Sequence, residues 1–96
     1  MTPSSITANN EAAILGRAID PTNGNWSASV AEGILAIGLS QTDRERMNEL
    51  AAKARDGHLD AEEEIEIESY RQATRLLELM KAKARASLKR AGPPAP

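Results

Sequence analysis

Apolar residues recur at helical spacing in the middle of the chain. Ser40 is a candidate N-cap, and Asp43, three residues later, stands in the position of a capping box. Gly57 favours the left-handed conformation that ends a helix. The pattern therefore predicts a helix between Ser40 and Gly57. Its apolar stripe, at i, i+3, i+4 and i+7 spacing, consists of Met47, Leu50, Ala51 and Ala54.

A longer amphipathic pattern follows. Asp60 and Glu63 form a second capping box, and nothing interrupts the pattern before Gly92. A helix over residues 61–89 is predicted, roughly 40–45 Å long at about 1.5 Å per residue. Its apolar stripe consists of Ile67, Tyr70, Thr74, Leu77, Met80, Ala84 and Leu88, widened by Ile65, Ala73, Leu76 and Leu79. Because the connection between the two helices is short, we expect them to be antiparallel neighbours.

The N-terminal region carries weaker signals. Asn10 can cap a short helix whose apolar side is Ile14, Leu15 and Ile19, and which the Asp20–Pro21 pair ends. A short strand from Ile14 to Ile19 is the alternative. After a turn over residues 21–25, Ser27 or Ser29 can cap a second helix, with Glu32 completing a box with Ser29. That helix is expected to run to about Ile37, with Gly38 at C′.

These elements predict one small all-α domain over residues 1–96. It is an antiparallel helical hairpin (core residues 40–90) with a long C-terminal helix, one or two short N-terminal helices, and flexible tails at 1–9 and 91–96. The long helix is about twice the length of its partner, so its distal half overhangs from about Leu76. Either the N-terminal segments or another chain must cover that half.

Composition excludes several kinds of chemistry. The chain has no cysteine and a single histidine, so it has neither a disulfide framework nor a cysteine-based metal site. His58 lies near Asp56 and Asp60, which is better explained as a turn beside a helix cap than as an acid–base pair. No catalytic, cofactor-binding or metal motif is found, so we expect no enzyme, cofactor or small-molecule substrate. Without a signal peptide or an apolar run long enough to span a membrane, a cytoplasmic location is expected.

Charge is segregated along the long helix although the formal net charge is only −2. Acidic residues crowd its start and basic residues its end, an order that stabilises a helix dipole. The same order suits self-association, since two antiparallel copies would oppose acidic and basic ends around a two-fold axis. The stripe buried in such a homodimer would be Ile67, Tyr70, Leu77, Met80, Ala84 and Leu88.

Two further interpretations remain open. The basic end could contact nucleic acid phosphates through Lys81, Lys83, Arg85, Lys89 and Arg90, although no DNA-binding motif surrounds them. Trp26 is expected to staple the N-terminal region onto the helices, with an exposed hot spot for a protein partner as the alternative.

The segment MNELAAKARDGHLDAEEEIEIESYRQATRLLELMKAKARASLKR resembles a pattern of small uncharacterised bacterial proteins: M-x-E-L-x-x-K-x-x-x-G-x-L-x-x-E-E, then a tyrosine and a leucine-rich helix ending in K-A-R. The stretches ILGRAIDP and SVAEGILAIGLS are also similar, so the resemblance covers most of residues 14–90. Such proteins are often encoded beside nuclease-type or toxin-like genes. The resemblance thus implies an accessory, antitoxin-like role in binding a protein partner. A small DNA-binding regulator and a structural assembly component are the alternatives.

Overall fold

The structure, a computed structural model, describes residues 10–92. Within that range it is all-helical, with α1 at Glu11–Ile19, α2 at Ala28–Leu35, α3 at Gln41–Arg55 and α4 at Ala61–Ala91. The predicted helical hairpin with a long C-terminal helix is confirmed, and of the one or two short N-terminal helices expected, two are formed. The strand alternative for residues 14–19 is wrong, since these residues lie in α1. Most of the two predicted tails, at 1–9 and 93–96, lies outside the described residues.

Side-chain caps begin the helices. For α2 the cap is Ser27 rather than Ser29, so the predicted box with Glu32 is not used. At α4 the box is reciprocal, because the main-chain N–H of Asp60 also donates to Glu63 Oε1 at 3.1 Å. The four cap acceptors and their donors are Asn10 Oδ1 with Ala13 N (2.8 Å), Ser27 Oγ with Val30 N (3.3 Å), Ser40 Oγ with Asp43 N (3.1 Å) and Asp60 Oδ1 with Glu63 N (2.8 Å).

Two helix ends differ from prediction. The second helix, α2, stops at Leu35, and Gly38 does not have a positive φ. Its last turn tightens instead, since Ala36 N donates to Gly33 O and Ile37 N to Ile34 O, three residues back. The long helix continues to Ala91, two residues past the predicted end. Gly57, with φ 72°, takes the predicted left-handed conformation.

The chain divides into two compact units. The hairpin unit is Gly38–Thr74, and among the described residues the terminal unit comprises 10–37 and 75–92. Helix α4 contributes its first half to the hairpin unit and its remainder to the terminal unit.

In the hairpin unit, contacts between α3 and α4 run in opposite directions along the two helices. Asp43 bonds to Tyr70, Arg46 to Glu66, and Lys53 to Glu63, so the helices are antiparallel. Leu50 is fully buried and Ile67 is 6% exposed, which places the small apolar core on the predicted stripes.

In the terminal unit, the N-terminal segments cover the distal half of α4. A Cβ added at Gly16 would lie 3.2 Å from Leu79 Cδ1, and one added at Gly24 would lie 2.7 Å from the main-chain carbonyl of Ala86. Ala31 and Ala84 are fully buried here. Small residues therefore allow the close approach that buries this half of the helix within the chain.

Candidate interaction surfaces

A polar network joins the two helices of the hairpin unit. The guanidinium of Arg46 donates to both carboxylate oxygens of Glu66, from Nε at 2.8 Å and from Nη2 at 2.7 Å. Arg46 also pairs with Glu49 at 2.7 Å, and Lys53 pairs with Glu63. Glu49 and Lys53 stand at the i, i+4 spacing that favours a pair, but they bond to Arg46 and Glu63 instead. Glu63 and Glu66, which belong to the acidic run at the start of α4, therefore pair with residues of α3 in addition to stabilising the helix dipole.

These contacts favour the ionised carboxylates. Arg46 lowers the pKa of Glu66 through its hydrogen bonds, and Lys53 lowers the pKa of Glu63, with the Asp60 main-chain N–H adding to the effect. The pKa of the Arg46 guanidinium is raised by the same bonds to Glu66. The carboxylates of Glu63 and Glu66 are therefore already paired with groups of the same chain.

In the terminal unit a second polar cluster holds the Trp26 segment on α4. Ser87 is 1% exposed, and its hydroxyl accepts from the main-chain N–H of Trp26 at 3.1 Å and donates to Lys83 O at 2.8 Å. The ammonium of Lys83 donates to Ile19 O at the end of α1 and lies 5.0 Å from the centroid of the Trp26 ring. The half-buried Trp26 thus occupies the position expected of the staple.

The five residues predicted to contact nucleic acid differ in their exposure. Lys83 is 5% exposed and its ammonium is engaged by Ile19 and Trp26, so it presents no charge to phosphates. Lys81 is half-buried, while Arg85, Lys89 and Arg90 are exposed.

The predicted self-association stripe is covered in part by the chain's own elements. Ile67 is 6% exposed and Ala84 is fully buried. Tyr70, Leu77, Met80 and Leu88 are half-buried. Ile67 and Ala84 therefore offer little accessible surface to another protein.

Of the three residues predicted as the apolar side of α1, Ile19 is half-buried but Ile14 and Leu15 are largely exposed. Ile14 is 48% exposed and Leu15 is 47% exposed, whereas Ala12, Ala13 and Gly16 are less exposed. The reason is steric, because Gly16 lets α1 approach Leu79 closely and the larger side chains fall on the outer side. The hydrophobic pattern of the sequence did not predict that Ile14 and Leu15 would be exposed. The small residues at positions 12, 13 and 16 were the sequence signal that could have indicated it.

The hairpin unit has an open groove of about 340 Å³ beside the contact of α3 and α4. Its floor is mainly apolar, and two exposed arginines, Arg55 and Arg71, line it as well. The apolar lining residues are Met47, Ala51, Ala54, Ile67 and Tyr70.

Residues 10–92 do not bring metal-ligating side chains together. No cluster there of three or more His, Asp or Glu side chains could hold a metal ion. His58 is exposed, and its main-chain N–H donates to Lys53 O at 2.9 Å. No helix in the described part of the chain has both the length and the apolarity to cross a membrane.

Comparison of the sequence and structure with protein-family models, curated proteins and solved structures found no match.

Proposed function

We propose that this chain is a non-enzymatic protein-interaction module that docks an apolar surface of a partner protein on α1 and also self-associates. The observation that carries the proposal is the packing of α1, in which Ile14 and Leu15 stay about half exposed while Gly16 approaches Leu79 of α4. An accessory, antitoxin-like role would use such a surface to hold a protein.

The energetics favour a partner on this face. Complete burial of an isoleucine or leucine side chain contributes about 1.5–3 kcal/mol, and half of that surface is still open at Ile14 and Leu15. Ala18, four residues after Ile14, is also exposed and extends the same face by one turn. A helix with small and large apolar residues in this arrangement fits an apolar groove on another protein.

The proposal is tested by identifying and then reconstituting the complex. Tagged wild-type chain and an Ile14→Glu/Leu15→Glu variant are used for affinity purification from the native host, and any protein specific to the wild type is purified and titrated against both. We expect binding to the double variant to be at least about tenfold weaker. Val30→Glu, a change of the same kind on α2 at a side chain that is 49% exposed, serves as the control and should retain full affinity.

Equal affinity of wild type and the α1 variant for the reconstituted partner would reject docking on α1. Recovery of nucleic acid in place of any protein would favour the DNA-binding alternative, which would rest on the exposed Arg85, Lys89 and Arg90.

A further inference from the structure

We infer that the hairpin unit carries a head-to-tail self-association interface, in which a ridge around Ile65 on one copy enters the α3–α4 groove of a second copy. This inference rests on the proposed self-association and names its surface. The ridge is defined as Glu62, Ile65 and Glu68, and the groove is the 340 Å³ cleft that Arg55 and Arg71 help to line.

The ridge is the most prominent apolar feature of the hairpin unit. Ile65 is 70% exposed, more than any other large hydrophobic residue in the described range. Glu62 and Glu68 stand three positions before and after it, so both lie beside it on the helix surface. Both are exposed. The ridge is therefore one bulky apolar side chain between two carboxylates.

The groove has the complementary chemistry. Its floor presents apolar atoms of both helices, including Ala51, Ala54 and Ile67, and can receive an isoleucine side chain. Arg55 is exposed and makes no ion pair with any described residue. Arg71 makes only a loose 3.5 Å contact with Glu68, and both side chains are more than half exposed.

Charge complementarity identifies a second copy as the occupant. The groove offers an apolar floor with two guanidinium groups, and the ridge offers an apolar side chain with two carboxylates. Pairing them buries Ile65 and brings unlike charges together, which favours one orientation of the two chains over others. Raised salt is expected to weaken the association, because these charges are exposed.

Helix geometry bears on the symmetry of the interface. Ile65 in the ridge and Ile67 in the groove are two residues apart on α4, about 200° around a helix of 3.6 residues per turn. The tip of the ridge and the floor of the groove therefore point in different directions, which favours head-to-tail contacts over the self-complementary patch of a two-fold dimer. Head-to-tail contacts of this kind continue into rings or open chains.

The test uses full-length protein and two variants that each disable one half of the interface. Ile65→Glu removes the apolar ridge, and Arg55→Glu/Arg71→Glu reverses the groove charges. Because all three sites are exposed, the variants should fold, and helical content measured by circular dichroism checks this. Sedimentation of wild type should show mass increasing with concentration, and each variant alone should associate at least about tenfold more weakly.

The mixture of the two variants is decisive. The Ile65→Glu copy retains its groove and the arginine variant retains its ridge, so a one-to-one mixture should form a heterodimer that grows no further. A mixture that stays monomeric, or wild type that remains monomeric up to about 1 mM, would overturn the inference. The Ile14→Glu/Leu15→Glu variant should self-associate like wild type, so failure of docking on α1 is distinguishable from failure of this interface.

Discussion

The hydroxyl of Tyr70 on α4 donates a 2.7 Å hydrogen bond to Oδ1 of Asp43 in the first turn of α3. The other carboxylate oxygen of Asp43 accepts from the Ser40 hydroxyl at 3.0 Å, so one side chain joins the cap of α3 to the long helix. The bond to Tyr70 lowers the pKa of Asp43, and the same bond raises the pKa of Tyr70 above its ordinary value of 10.0.

Replacing Asp43 should lower the pKa of Tyr70. Tyr70 is the only tyrosine, so tyrosinate absorbance during alkaline titration reports this residue alone. We expect wild type to titrate above pH 10.0 and Asp43→Ala to titrate closer to that value. Asp56→Ala, which changes an exposed aspartate at the other end of α3, is the control and should titrate like wild type. Identical curves for wild type and Asp43→Ala would show that the bond does not persist in solution.

Acid should destabilise the hairpin. Asp43, Glu63 and Glu66 have pKa values lowered on folding, so the stability that they contribute is present above their ordinary values of 3.8, 4.5 and 4.5. It is lost as the pH falls through the lower values of the folded state. Thermal unfolding followed by circular dichroism should therefore show a lower midpoint at about pH 3 than at about pH 7.

Glu66→Gln should reduce this pH dependence, since it removes the carboxylate that binds Arg46 at two points. Glu64→Gln is the matched control, because Glu64 is exposed and has no ion-pair partner among the described residues. Equal pH profiles for the two variants would contradict a role of the Arg46–Glu66 pair in acid sensitivity.

Two glycine substitutions should have opposite effects on stability. At Gly24 an added Cβ would lie 2.7 Å from the main chain of Ala86, so Gly24→Ala must displace the segment and should cost about 1–3 kcal/mol. Gly33 lies within α2 and an added Cβ there meets nothing within 4 Å. Gly33→Ala should stabilise by about 0.5–1 kcal/mol, because alanine loses less conformational entropy in a helix. Chemical denaturation of both variants measures the difference, and equal stabilities would contradict the close approach at Gly24.

Two serines of α4 allow the effect of a hydrogen bond within the helix to be compared with that of a hydrogen bond to a distant part of the chain. Ser69 and Ser87 each donate to the carbonyl four residues earlier, but only Ser87 also accepts from the N–H of Trp26. Ser87→Ala leaves that N–H without its acceptor and should destabilise by about 1–3 kcal/mol. Ser69→Ala should change stability by less than about 0.5 kcal/mol, because Ser69 is exposed.

Trp26 fluorescence gives a second measurement for the serine pair, because Trp26 is the only tryptophan. Ser87→Ala should make its emission redder and more readily quenched, while Ser69→Ala should leave it unchanged. Wild-type emission that is already fully quenchable would reject the staple.

The sequence by itself determined the two helices of the hairpin and their starts. Side-chain caps and helical periodicity are local properties, and Ser40, Asp60 and Gly57 act as their neighbours predict. The antiparallel hairpin also followed from the sequence, because a short connection between two amphipathic helices leaves little choice of neighbour. The burial of Leu50 and Ile67 on facing stripes is the result.

Only the tertiary structure decided which faces remain open. The pattern could not show that Gly16 and Gly24 permit close contacts with α4, leaving Ile14 and Leu15 on the outside. It also could not show that Lys83 turns inward to Ile19 and Trp26. These outcomes depend on contacts between residues that are far apart in the chain. Several packing arrangements would satisfy the amphipathic pattern, and steric fit together with polar pairing between distant residues decides which one forms.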